Sequence, residues 1–256
     1  MSAVLDLFRL DGRVAVVTGA SSGLGVSFAG ALADAGADLV LAARRIDRRE
    51  ETKKVVEAKG RRAITVACDV ADPQACADVA TAAVENFGRL DILVNNAGIS
   101  DAVPAAKETA DEFDRVVTIN LNGTFYMAQA CARAMTDGGS IINIASVLGL
   151  TSIMMPHAAY ASSKAGVIGL TRELAQQWSG RKGIRVNAIA PGYFASEMTS
   201  GLIDGGYADK FVIPRTLFGR LGNEGELNPA LIFLASDASS YVTGITLPVD
   251  GGILTN

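Results

Sequence analysis

The run Arg13-Val14-Ala15-Val16-Val17-Thr18-Gly19-Ala20-Ser21-Ser22-Gly23-Leu24-Gly25 decides the fold. Its first part is apolar without alternation, as in a parallel strand covered by helices on both faces. It runs directly into glycines at 19, 23 and 25, and a helical pattern follows over 24–35. Such glycines let the backbone turn sharply and approach a pyrophosphate, and the helix beyond offers unpaired N–H groups and a positive dipole end. The spacing is G-x3-G-x-G, not the G-x-G-x-x-G of the usual dinucleotide fingerprint. A glycine triplet also describes an ordinary strand–helix turn. Its place after the first strand carries the ligand reading, with Gly19, Ser21, Ser22, Gly23, Leu24 and Gly25 as candidate cofactor-binding residues.

Outward from this loop the same rhythm repeats. Strands are expected at 13–18, 38–43, 63–68, 92–94, 140–145, 185–189 and 245–249, and helices at 24–35, 48–59, 73–87, 111–135, 158–181 and 226–234. Strict alternation implies right-handed crossovers and a Rossmann-type, doubly wound, parallel seven-stranded α/β sheet in one domain spanning 1–256. The segment 196–224 breaks the rhythm and is expected to be a substrate lid, since long connections in compact domains tend to be functional. Hydrophobic residues make up 49% of the 256 and charged residues 20%, which excludes wholesale disorder. The net charge of −4 gives no reason to expect a nucleic-acid or anionic-membrane partner. No stretch reaches the ~18 apolar residues of a membrane span. Cys68, Cys76 and Cys131 form no CxxC pair and read as free thiols of a cytoplasmic protein.

The second expected strand ends at Ala42-Ala43-Arg44-Arg45. NAD-preferring dinucleotide folds place an acid there for the ribose 2′-OH. A small residue followed by Arg44 and Arg45 instead favours the 2′-phosphate, at ~1.5–3 kcal/mol for a charged hydrogen bond. NADP(H) is therefore favoured and NAD(H) stays possible; the arginines also suit a solvated helix start.

Tyr160 and Lys164 share one face of a helix at i and i+4. Lowering a phenol from ~10 to ~7 takes roughly 4 kcal/mol. An ammonium ~4 Å away at an effective dielectric of ~20 supplies an attraction of that order. Lys164 is accordingly expected to lower Tyr160 and make it an acid/base. The pair is common on ordinary helices, so its meaning depends on company. Ser146 closes the fifth strand, Asn96-Ala97-Gly98 follows the fourth, and Asn120 lies inside a helix where asparagine is an indifferent former.

These motifs in this order resemble the short-chain dehydrogenase/reductase family. The resemblance runs from Thr18-Gly19-x3-Gly23-x-Gly25 through Asp69-Val70, Asn95-Asn96-Ala97-Gly98, Asn120, Ser146, Tyr160-x3-Lys164 and Pro191-Gly192 to Asp250-Gly251-Gly252. It implies hydride transfer at nicotinamide C4, with Tyr160 as acid/base and Ser146 polarising the substrate oxygen. Lys164 would bind the nicotinamide ribose, and Asn120 would hold a relay water. By the same carry-over Asp69 and Val70 contact adenine, Asn96 and Gly98 support the cofactor, and Pro191, Gly192 and Ser196 flank the nicotinamide. A homotetramer or homodimer built on the helices containing Asn120 and Tyr160 is implied as well.

Ser146 and Tyr160 are 14 positions apart, one more than is usual in the family, and Ser22 stands where NADP-using members often carry a basic residue. The substrate pocket is expected to be apolar, lined by Val147, Leu148, Tyr193, Phe194 and Met198 with His157 at its edge, and by Ile153, Met154, Met155 and the lid 211–218. The expected substrate is a small ketone or secondary alcohol. Lys210, Arg215 and Arg220 keep a carrier-protein-linked 3-oxoacyl chain open. Other readings are an NAD-dependent alcohol dehydrogenase of this family, a cofactor-free lyase and a nucleotide-sensing protein. Lys164, the glycine loop and Tyr160 count against the last two.

Overall fold

The computed structural model describes residues 3–153, 155–194, 206–223 and 225–255. Seven strands, β1 (Val14–Thr18), β2 (Asp38–Ala43), β3 (Ala63–Ala67), β4 (Ile92–Asn95), β5 (Gly139–Ile144), β6 (Ile184–Pro191) and β7 (Thr246–Val249), form one sheet in the order β3-β2-β1-β4-β5-β6-β7. Every pairing is parallel. The chain winds outward from β1 through β2 to β3, then returns to the other side of β1 with β4. That reversal opens a crevice at the carboxyl ends of β1 and β4, where ligands of such sheets bind.

Among the described residues the α-helices are α1 (Ala3–Asp6), α2 (Leu24–Ala35), α3 (Ile46–Glu57), α4 (Pro73–Phe87), α5 (Ala110–Val117), α6 (Gly123–Ala134), α7 (Ala158–Lys182) and α8 (Asn228–Ala235). Side-chain alternation along β1 explains the two layers. Ala15 and Val17 face Phe28 and Leu32 of α2 and Leu231 and Leu234 of α8. Val14 and Val16 face Val79 of α4, Met127 and Cys131 of α6 and Leu174 of α7. Both faces are dry, hence the unbroken apolar runs. Helix starts follow local chemistry: the Asp72 side chain accepts from the Gln74 N–H at 2.9 Å, and Pro73 occupies a first-turn position that needs no N–H. Thr109 and Glu112 close a capping box on α5. Among the described residues no helix is long and apolar enough to cross a membrane.

The helix expected over 111–135 is interrupted. Thr118–Asn122 forms a π-helical turn between α5 and α6. Asn120 sits inside it, fully buried, and exchanges two hydrogen bonds with Ile99: the Ile99 N–H donates to Oδ1 and Nδ2 donates to the Ile99 carbonyl, each at 2.9 Å. A widened turn is a common device for turning one side chain inward at a functional site.

The buried stripe of α3 contains an anomaly. Arg49, Thr52 and Val56 are 4%, 1% and 0% exposed. Thr52 donates to the Ala20 carbonyl at 2.7 Å, but Arg49 Nε and Nη1 have no hydrogen-bond partner among the described residues. A buried donor without a partner costs about 1–3 kcal/mol, and apolar replacement of a buried charge is often stabilising. Arg49→Leu is expected to raise the thermal midpoint by a few degrees. A lowered midpoint in calorimetry would show that Arg49 is held by contacts worth more than its desolvation.

Candidate active site

The crevice is a cleft of about 680 Å³. Its floor at the β1 end is shaped by close backbone approaches. Gly19 and Gly23 adopt φ of +66° and +52°, a region side chains rarely enter. Gly25 is constrained by space: a Cβ there would lie 2.2 Å from the Gly19 carbonyl oxygen and 2.8 Å from Asn96 Nδ2. Asn96 holds this arrangement from the neighbouring strand. Its Nδ2 donates to the Thr18 carbonyl at 3.0 Å, while the Asn96 and Ala97 N–H groups each donate to Thr18 Oγ1 at 3.0 Å. Gly19, Ser21, Ser22, Gly23 and Leu24 line the cleft. Gly25 lies behind them as a spacer.

Beyond β2, Ala43, Arg44 and Arg45 form a basic edge of the same cleft. Arg45 Nη2 donates to Ser22 Oγ at 2.7 Å, so a guanidinium from β2 stands at the neutral position of the glycine loop. Asp69 and Val70 line the opening too, with Cys68 beside them. All three cysteines are buried. Val70 packs closely on the start of α6, where a Cβ on Gly123 would meet its side chain at 2.7 Å.

The reactive side chains gather at the ends of β5 and β6. Ser146, Tyr160, Lys164, Pro191, Gly192, Tyr193 and Phe194 line the cleft with Asn96, Ala97 and Gly98. Ser146 Oγ accepts the Leu148 N–H at 3.1 Å, which leaves its own proton to be donated. Lys164 Nζ donates to the Ile144 carbonyl at 2.7 Å and lies 5.6 Å from the Tyr160 ring centroid. Gly98 keeps that corner open: a Cβ there would be 3.2 Å from Asn120 Oδ1 and 3.6 Å from Lys164 Nζ.

The electrostatics correct one expectation. Lys164 was to lower the phenol, yet in this chain alone burial pushes Tyr160 above the usual phenol range, with the Ser146 hydroxyl working weakly against it. Burial also lowers Lys164 to about 8. Each group is displaced toward its neutral form because burial disfavours the charged form, more than the hydrogen bond from the ammonium to the Ile144 carbonyl offsets.

The pocket is less apolar than its sequence suggests. Leu148, His157, Tyr193 and Phe194 line it as expected, but Val147 is 1% exposed and faces the interior instead. Met154, Ser196 and Met198 lie outside the described residues. Within the described part of the expected lid, 206–223, Val212 packs against Leu148 and Ile153, whereas Leu217 and Phe218 are exposed and Phe211 is not on the cleft wall. Sequence reasoning missed Ser100, Asp101 and Arg115, which stand on that wall. Asp101 and Arg115 form an ion pair across 14 positions of loop and helix. No periodicity signals such a pair; the one hint was the loop's place after β4, at the sheet's carboxyl edge.

The chain is similar along nearly its whole length to proteins named as dehydrogenases. The model of a family described as enoyl-(acyl carrier protein) reductase matches residues 19–254. Gluconate 5-dehydrogenase of Gluconobacter oxydans is 41% identical over 251 residues, covering 97% of this chain and 97% of that protein. D-threitol dehydrogenase of Mycolicibacterium smegmatis is 41% identical over 253 residues, covering 96% and 94%. The crystal structure of a gluconate 5-dehydrogenase from Burkholderia cenocepacia in complex with NADP and tartrate is 38% identical with a TM-score of 0.93, covering 98% of this chain and 99% of that one.

Proposed function

The chain belongs to the short-chain dehydrogenase/reductase family, and on that premise we propose that it is an NADP(H)-dependent oxidoreductase interconverting a ketone and a secondary alcohol, with Ser146, Tyr160, Lys164 and Asn120 as its working side chains. The observation that carries this reading is one continuous cleft that holds a glycine cradle, a basic edge and the Ser146–Tyr160–Lys164 group in sequence. The residues fit the cofactor. A side chain at position 25 would collide with the cradle backbone, which keeps it open for a phosphate, and Arg45 against Ser22 supplies positive charge where a 2′-phosphate needs it.

Gly19, Ser21, Gly23 and the first turn of α2 would hold the pyrophosphate, Arg44, Arg45 and Ser22 the 2′-phosphate, and Asp69 with Val70 the adenine. Asn96, Ala97, Gly98, Lys164, Pro191, Gly192 and Ser196 would surround the nicotinamide half. When bound, the cofactor supplies or takes the hydride. Ser146 donates its remaining proton to the substrate oxygen as a hydrogen bond and fixes it beside Tyr160. In reduction the Tyr160 hydroxyl gives its proton to that oxygen, and in oxidation the phenolate takes it back. Asn120 fixes the loop after β4 through Ile99. Its backbone carbonyl accepts from Thr124 Oγ1 at 2.7 Å, and the family resemblance makes Asn120 the holder of a relay water.

Of four relatives at 41% identity, three are named for a sugar acid and one for a neutral polyol, so likeness alone does not choose the substrate. A homotetramer or homodimer joined through α6 and α7, and a cytoplasmic location, belong to the same reading and rest on family membership.

The test is a paired fluorescence titration with NADPH and NADH, followed by ketone reduction. NADPH is expected to bind more tightly, and Arg44→Ala and Arg45→Ala to weaken NADPH by about 1.5–3 kcal/mol each with little effect on NADH. Equal losses for both would make the arginines surface charges and favour NAD(H). No binding of either would overturn the oxidoreductase reading.

A further inference from the structure

Asp101 and Arg115 line the same cleft as Ser146 and Tyr160. Arg115 Nη2 pairs with Asp101 Oδ2, and the two side chains stay 52% and 33% exposed, so both are accessible from the cleft. The loop bearing Asp101 is indexed to the helix bearing Tyr160. His157 Nδ1 lies 2.9 Å from the Asp101 carbonyl oxygen, and a parallel bridge joins Val103 to His157. A carbonyl only accepts, so Nδ1 carries the proton of this bond and Nε2 is left for a further hydrogen bond. The His157 ring in turn lies 5.9 Å from the Tyr160 ring. Loop, ion pair and phenol are thereby held in one register.

A carboxylate paired with a guanidinium offers an acceptor and donors side by side without net charge. A hydroxyl, which both donates and accepts, can bridge the pair and leave it intact. A substrate carboxylate brought to Arg115 would face the Asp101 carboxylate as a like charge. We propose that the Asp101–Arg115 pair selects a neutral polyhydroxy substrate, a vicinal diol or its α-hydroxy ketone, over an aldonic acid; this rests on the ketone/secondary-alcohol reading above. His157 lines the same cleft between the pair and Tyr160 and adds a further polar group for a substrate hydroxyl.

The experiment measures kcat/KM with NADP for C4 to C6 alditols and for the aldonates matched to them except at C1. The parent is expected to favour the alditol. Asp101→Asn keeps the shape but leaves Arg115 unpaired, and should move the alditol-to-aldonate ratio toward the aldonate by about tenfold or more, the scale of one charge-assisted hydrogen bond. Arg115→Gln should raise KM for the alditol more than it lowers kcat, and NADPH titration verifies that each variant is folded. A parent that prefers the aldonate, or a ratio moved less than twofold by Asp101→Asn, overturns the inference. Reduction of plain ketones with neither polyol class oxidised removes the inference and leaves the reductase reading standing. If no carbonyl compound is reduced, that reading falls and the inference with it.

Discussion

Tyr160→Phe is expected to lower kcat by about 10²–10⁴-fold, the usual contribution of a positioned acid/base, while NADPH affinity stays near that of the parent. The phenyl ring preserves the packing against His157, so the loss isolates the hydroxyl. The pH profile gives a second readout. Burial raises the phenol above its ordinary range, so at neutral pH it is protonated and ready to donate in reduction. Oxidation needs the phenolate, whose population below its pKa grows up to about tenfold per pH unit. Oxidation should therefore rise with pH in the parent and lose that rise in Tyr160→Phe. Activity within tenfold of the parent, or an unchanged pH slope, would remove Tyr160 from the acid/base role.

Gly25→Ala is expected to abolish NADP(H) binding at concentrations that saturate the parent, and to destabilise the fold by about 1–3 kcal/mol or more, the range for overpacking a filled site. The new methyl would lie 2.2 Å from the Gly19 carbonyl oxygen. Backbone on one side and the Asn96 clamp on the other leave no flexible side chain to yield. Relief requires moving the glycine turn itself. Gly30 in the same helix is the control: a Cβ there meets only Lys59 Cε at 3.6 Å and Val55 Cγ1 at 3.7 Å. Gly30→Ala should stabilise by about 0.5–1 kcal/mol through helix propensity and leave binding untouched. Parent-like NADPH affinity in Gly25→Ala would mean that the cradle is not the phosphate site.

The boundaries that moved between sequence and structure share a cause. Helix 111–135 reads as continuous because apolar periodicity tolerates one inserted residue. The π-turn at Thr118–Asn122 is held by bonds from Asn120 to Ile99, 21 positions away, which no local pattern carries. Val147 follows Ser146 in an apolar run, and such a run looks the same whether a residue faces a pocket or the core.

The unbroken apolar runs VAVV and IINIA and the glycines after β1 determined by themselves that this is a doubly wound parallel sheet with a glycine turn after its first strand. Both signals are local, because strand burial and turn geometry are set by the residues that show them. Tyr160-x3-Lys164 and Ser146 were legible for the same reason, as fixed spacings on a helix and at a strand end. Only the tertiary structure decided that Arg45 crosses to Ser22, that burial rather than the ammonium governs the Tyr160 phenol, and that Asp101 and Arg115 meet on the cleft wall. Each of these depends on which distant groups share a small volume from which water is excluded, and that is a property of the packed chain, not of its order.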